Sequence, residues 1–134
     1  MPFRSELRLT SIRGTKLRRL NAPLRYYSAR LGIDIIVPTG FVTDFATIPK
    51  AVRAFIDNDS GVIRDAAIVH DYLYSIESAD YHPDIDKLEA DLILDEGMQE
   101  LGANWFKRAA VYYAVRLFGG YFYRLEYRDI DVNI

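Results

Sequence analysis

Ile63-Arg64-Asp65-Ala66-Ala67-Ile68-Val69-His70-Asp71-Tyr72-Leu73-Tyr74 reads as the body of an α-helix. Ile63, Ala67, His70 and Tyr74 recur at i, i+4, i+7 and i+11 and so share one stripe. That stripe is otherwise apolar, which turns His70 inward. Ser60 is placed as the N-cap, and the pattern carries the helix from Gly61 to about Glu77. Asp71 projects about 100° further round the axis than His70, so the two side chains address neighbouring but different spaces.

Downstream, Pro83-Asp84 opens a second helix that runs to about Leu101 and is ended by Gly102. Asn104 caps a third, Trp105 to Phe118, which Gly119-Gly120 stops. This third helix is apolar nearly all round, broken only by Lys107, Arg108 and Arg116, and is expected at the centre of the packing. Upstream, Glu6 to Ile12 alternates in period two, and Ile33-Asp34-Ile35-Ile36-Val37 is rich in β-branched residues. Gly14, Asn21-Ala22-Pro23 and Leu31-Gly32 supply turns between such runs. Phe41 to Ile48, punctuated by Pro38, Gly40 and Pro49, reads as a strand end leading into an ordered loop. The expected fold class is therefore α+β: a small antiparallel β region packed on a three-helix core. Residues 1–134 form one domain, with a β-rich region and loop over 1–49, helices over 60–119 and a tail over 120–134 that is a strand or a partner-binding arm.

With 134 residues, half of them hydrophobic, the chain can bury a real core without staples. It contains no cysteine, which excludes disulfides, thiolate metal sites and cysteine nucleophiles and fits a reducing compartment. No run approaches the roughly 20 apolar residues of a membrane helix, and Met1 to Glu6 lacks a secretory hydrophobic region. Synthesis in the cytosol is expected, with no transmembrane segment. A formal charge of −2 argues against a dedicated nucleic-acid binder, which needs clustered cations for phosphate. The charge is uneven: residues 4–30 hold eight Arg or Lys against Glu6 alone, while residues 57–100 are mostly acidic. Two solvated faces of opposite sign explain this, as does a basic surface that meets a membrane or an acidic partner.

The second helix carries Asp91 in the middle of the face formed by Leu88, Leu94, Asp95, Met98 and Leu101. A buried carboxylate is costly unless paired. If the first two helices pack antiparallel, Asp91 accepts a hydrogen bond from one ring nitrogen of His70 and leaves the other as a base, while Tyr74 gives its hydroxyl to the same carboxylate. A polar core network that sets helix register explains the same three residues equally well. Asp71 and Asp44 form a second pair: a loop carboxylate beside a helix carboxylate suits Ca²⁺, which takes roughly 6 to 8 oxygens. In isolation, Asp44 reads as a turn cap in Thr43-Asp44-Phe45 and Asp71 as an exposed helix residue.

His70-Asp71-Tyr72-Leu73-Tyr74 has the His-Asp-x-x-Tyr pattern of the phospholipase A2 catalytic helix, and residues 41–120 resemble the small bacterial and fungal members of that family. Thr43-Asp44-Phe45-Ala46-Thr47 is similar to their Thr-Asp-x-Cys-Thr loop, and Ala66-Ala67-Ile68-Val69-His70-Asp71 to their Ala-Cys-x-x-His-Asp. Asp91 with Met98, and Tyr112 to Gly119 with one residue fewer between the Tyr and Ala-Val, resemble their second and closing helices. The two matching cysteines, disulfide-bonded in those enzymes, are Ala46 and Ala67 here, as loss of both partners in a reducing compartment would leave them. The whole chain also resembles a phage and prophage family, Domain of Unknown Function 1353. That likeness rests on Val37-Pro38, Gly40-Phe41, Thr43 to Pro49, His70 to Tyr74, Ala90-Asp91 and Val115 to Gly119.

The first resemblance implies a Ca²⁺-dependent esterase acting on phospholipid, with His70 as base, Asp91 and Tyr74 supporting it, and Asp71 with Asp44 holding the ion. The second implies a phage-derived gene, often lying among virion genes, with synthesis in the host cytoplasm and no established activity; the competing expectation is a non-catalytic virion component, such as a tail or baseplate subunit. It would there contact other virion proteins or copies of itself through Tyr26-Tyr27 and Tyr121 to Tyr127, although ordinary surface and core packing explains these tyrosines equally well. A His-Asp metallophosphohydrolase is disfavoured, because His70 is the first histidine and His82 is expected to be an exposed loop residue.

Overall fold

Short strands precede three α-helices in the computed structural model, which describes residues 3–5, 8–11, 18–43 and 63–118. The strands are β1 (Leu9–Ser11), β2 (Arg18–Leu20), β3 (Leu24–Ser28), β4 (Ile33–Val37) and β5 (Val42–Thr43). β1, β2 and β5 form one antiparallel sheet in that order, and β3 with β4 forms a separate hairpin. In the hairpin Leu24 pairs with Val37 and Tyr26 with Ile35, all four buried, while Arg25 opposite Ile36 and Tyr27 opposite Asp34 point the other way. Gly32 takes φ +66° in the turn, a conformation that favours glycine, and its N–H donates to Ser28 O at 2.7 Å.

Helix α1 (Arg64–Tyr74) lies between the hairpin and α2 (Lys87–Glu100), and every residue from Ala66 to Tyr74 is buried. Extended backbone at Ser75 stops α1, and a 3-10 helix over Ile76–Asp80 follows. Asp86 caps α2 by accepting the Glu89 N–H at 2.8 Å, and Asn104 caps α3 (Trp105–Phe118) by accepting that of Lys107 at 2.9 Å. Each such cap is worth about 1 kcal/mol.

The core has two lobes. Leu20, Leu24, Tyr26, Ile35, Val37 and Phe41 pack on Ile68, Val69, Tyr72 and Leu73, joining strands to α1. Ile63, Ala66, Ala67, Leu94, Met98, Val111 and Val115 join the three helices at the other end. The α1–α2 crossing is tight at Gly97, where an added Cβ would come within 2.9 Å of Ala66 Cβ.

The α+β architecture agrees with the sequence reading, but several expectations are corrected. α1 ends at Tyr74, short of Glu77, because Ser75 is extended; Ser60 and Gly61 lie outside the described residues. α2 starts at Lys87 on the Asp86 cap, later than Pro83. Its inward face is Ala90, Asp91, Ile93, Leu94, Gly97 and Met98, and Leu88 is exposed. α3 is not central: Trp105 is 76 % exposed, Phe106 58 %, Tyr113 62 % and Leu117 74 %. α1 takes the central place, since every residue from Ala66 to Tyr74 is buried between the hairpin and α2. No helix among the described residues is long and apolar enough to cross a membrane.

Candidate functional site

Asp91 stands where the three helices meet, and four side chains converge on its carboxylate. His70 Nε2 lies 2.7 Å from Oδ1, and the Tyr74 hydroxyl donates to the same oxygen at 2.5 Å. Lys87 Nζ and Arg116 Nη1 donate to Oδ2 at 3.0 and 2.8 Å. His70 and Asp91 have no solvent exposure. The helical period explains the meeting: His70 and Tyr74 are one turn apart on α1, and Lys87 and Asp91 one turn apart on α2. The His70 and Tyr74 rings lie 4.1 Å apart, so the imidazole is held on its flank as well as at its nitrogen.

The charges follow from this geometry. Burial pulls the Asp91 pKa upward, but the hydrogen bonds from His70, Tyr74 and Lys87 outweigh it and set the carboxyl at about 2. Burial pushes His70 below the ordinary histidine value, the bond and charge of Asp91 oppose that, and the Lys87 charge adds to it. At neutral pH the pair is thus an ionised carboxylate beside a neutral ring. A carboxylate can only accept, so Nε2 carries the proton and the basic lone pair is on Nδ1.

Sequence reasoning anticipated His70, Asp91 and Tyr74 together and missed both cations. Lys87 was legible from its i, i+4 spacing to Asp91. Arg116 was not, because its role depends on where α3 crosses α2. Lys87 Nζ also donates to Val115 O at 2.9 Å and Arg116 O at 3.4 Å, satisfying carbonyls in the last turn of α3.

Asp71 is buried, not an exposed helix residue, and Thr43 Oγ1 donates to its Oδ2. This contact joins the end of β5 to α1. Asp44, next in sequence to Thr43, lies outside the described residues. No group of three or more metal-ligating side chains occurs among the described residues. One carboxylate and one hydroxyl fall well short of the roughly 6 to 8 oxygens calcium takes, so the described residues do not make a complete calcium site. His82, expected to be exposed, is half-buried with its ring edge-on to Tyr72 at 6.4 Å.

Fold and site together define an α+β domain with a histidine–carboxylate pair sealed at a three-helix junction. The chain belongs to the family described as protein of unknown function (DUF1353), whose family model matches residues 18–115. The matched span includes His70, Asp71, Tyr74, Lys87 and Asp91 and stops one residue before Arg116. No curated protein and no solved structure matches the chain.

Proposed function

We propose that the chain is a phage-derived hydrolase of phospholipase A2 type that cleaves a lipid ester with His70 as general base. The observation that carries this reading is the His70 Nε2 to Asp91 Oδ1 contact of 2.7 Å, supported by the Tyr74 hydroxyl on the same oxygen. His70 Nδ1 takes a proton from water as the water oxygen bonds to the ester carbonyl carbon. Collapse of the tetrahedral intermediate breaks the bond to the alcohol oxygen, which leaves with that proton. Asp91 holds the ring in the tautomer that this requires and stabilises the imidazolium formed on the way. The ring is wholly covered, so turnover needs an opening over its Nδ1 edge, and the rate of that opening bounds kcat.

Calcium enters this proposal through the resemblance and through Asp71, which would be one carboxylate ligand with Asp44 a second. A bound Ca²⁺ would polarise the ester carbonyl. The test is release of fatty acid and lysophospholipid from mixed phospholipid vesicles, with Ca²⁺ or with chelator. Loss of roughly 10²–10⁴ in rate is expected for His70→Ala, a smaller loss for Asp91→Asn, and dependence on Ca²⁺ that Asp71→Ala removes. Absence of any product, or full activity in His70→Ala, rules the hydrolase out.

A non-catalytic role in a virion is the second reading, favoured by one observation: Trp105, Phe106, Tyr113 and Leu117 expose apolar surface along α3. Other virion proteins or a second copy would cover it; of the tyrosines expected at such a contact, Tyr26 is instead fully buried in the core, and Tyr121 to Tyr127 lie outside the described residues. Absence of the chain from purified particles would count against this reading.

A further inference from the structure

α3 has two apolar faces, and the three-helix core uses one of them. Val111, Ala114 and Val115 are buried on that side, and Arg108 ties the helix to Asp95 of α2. The other side carries Trp105, Phe106, Tyr113 and Leu117, each more than half exposed, with the half-buried Ala109 between them. At about 100° per residue these five, together with Arg116, fall within about 120° of arc. No Asp or Glu occurs anywhere in Trp105–Phe118. An apolar stripe of this extent on an outer helix marks a contact surface.

The order of side chains along the stripe is self-complementary. By the helical period Trp105, Arg116 and Ala109 lie toward one edge of the arc, Phe106 and Leu117 toward the other, and Tyr113 near the middle. A two-fold axis crossing α3 at right angles, level with Val111, runs a second α3 antiparallel and keeps each edge on its own side. Trp105 then meets the partner's Arg116, Phe106 the partner's Leu117, and Tyr113 the partner's Ala109. A ring faces a guanidinium, a ring faces an aliphatic chain, and a large side chain faces a methyl, so each contact is favourable. The two Arg116 residues stand about 15 Å apart along the helices, whereas a parallel pair would set them level. The four large side chains offer about 500 Å² per copy, and about 1,000 Å² for the pair reaches what a specific interface needs.

We infer that a second copy of the chain covers this stripe in an antiparallel α3–α3 pair, and that the partner's Trp105 thereby closes over Arg116. Arg116 donates to Asp91 at 2.8 Å with 33 % of its side chain exposed, so pairing removes water from that ion contact and joins assembly to the His70–Asp91 cluster. The inference holds for a hydrolase and for a virion component alike. A bilayer makes no use of the alternation of large and small side chains and supplies no ring for the guanidinium.

Trp105 is the only tryptophan, so its fluorescence reads this face directly. Sedimentation equilibrium of the full chain should give a monomer–dimer transition with a Kd of about 10 µM. Over the same concentrations Trp105 emission should move to the blue and its quenching by acrylamide should fall. Ala109→Phe sets a ring against the partner's Tyr113 and should weaken association at least about tenfold. Adding Tyr113→Ala restores a large side chain opposite a small one and should recover most of that loss, with thermal melts showing that both variants are folded. A monomer at every concentration, or association unchanged by Ala109→Phe, would overturn the inference, and failure of the double variant to recover would overturn the antiparallel register. A monomer whose Trp105 is already shielded from acrylamide would assign the stripe to the chain's own residues. A monomer whose Trp105 emission moves to the blue on phosphatidylglycerol vesicles would assign it to a lipid surface; either result overturns the pair.

Discussion

At Asp91 a single carboxylate serves four donors, and its two oxygens are divided between neutral and cationic partners. The division matters for His70, because each cation on Oδ2 draws away field that would otherwise protonate the ring. Lys87→Met is therefore expected to raise the His70 pKa, read from its ring proton shifts across pH 4 to 9; no movement would show that Lys87 only braces α3. The folded ring holds a proton less readily than an unfolded histidine at 6.5. Between the lowered value and 6.5 the unfolded chain binds more protons, so stability should fall as pH drops below about 6.5. Asp91 behaves differently: its contribution is whole above 3.8 and is lost only as pH falls toward about 2. Thermal melts from pH 5 to 8 should thus show Tm decreasing toward acid, with a slope of at most about 1.4 kcal/mol per pH unit from His70. His70→Gln should flatten that slope and His82→Asn should leave most of it; an unchanged slope in His70→Gln would refute the assignment. The trio of His70, Tyr74 and Asp91 was readable from sequence because helical spacing alone puts each on an inward face. Asp71 was not, since its burial depends on Thr43, far away in the chain.

Among the elements, α1 is the one whose surroundings leave least latitude. From Ala66 to Tyr74 it has no wet side, and α2 crosses it where Gly97 faces Ala66. Gly97→Ala should gain up to about 1 kcal/mol in helix propensity, yet it places a methyl 2.9 Å from Ala66 Cβ, which is fixed to a backbone and cannot swing aside. Overpacking of this kind costs about 1–3 kcal/mol. A net fall in Tm is expected, and a variant as stable as the parent would mean that the helices separate without cost. The sequence conveyed α3 and its Asn104 cap to the residue, because cap and glycine signals are local. It misplaced the start of α2 by taking Pro83 as the opening when Asp86 is the cap. It resolved β4 but not β3, since Tyr26 and Tyr27 put the same residue type on both faces and blur the period. A helix apolar nearly all round, such as α3, also misled: composition records what could be buried, and only packing decides what is.

Across the whole molecule, the hairpin is fastened to α2 by polar contacts as well as by the core. The Tyr26 hydroxyl donates to Glu96, and the Arg30 N–H reaches the other oxygen of that carboxylate at 2.9 Å. On the far side, α3 is clamped to α2 by Arg108 on Asp95, through paired bonds of 3.1 and 3.0 Å. Beyond that clamp, Trp105, Tyr113 and Leu117 recur at i, i+8 and i+12 and leave an apolar stripe open. If that stripe is a contact surface, Trp105→Ser with Leu117→Ser should abolish concentration-dependent association in light scattering. The Tm should change little, because exposed positions shift stability by about 0.5 kcal/mol. A chain that is monomeric at all concentrations before substitution would exclude self-association. The fold class was legible at this scale because two periodicities, two and 3.6, divide the chain cleanly. Which surface stays uncovered was not, since it depends on how many layers enclose each helix. The ammonium of Lys87, shared between a sealed acid and the final carbonyls of α3, has a mechanical corollary. Any displacement of the last turn of that helix is passed through the ammonium to the imidazole's companion, so a variant that shifts Val115 reaches the sealed acid without touching it.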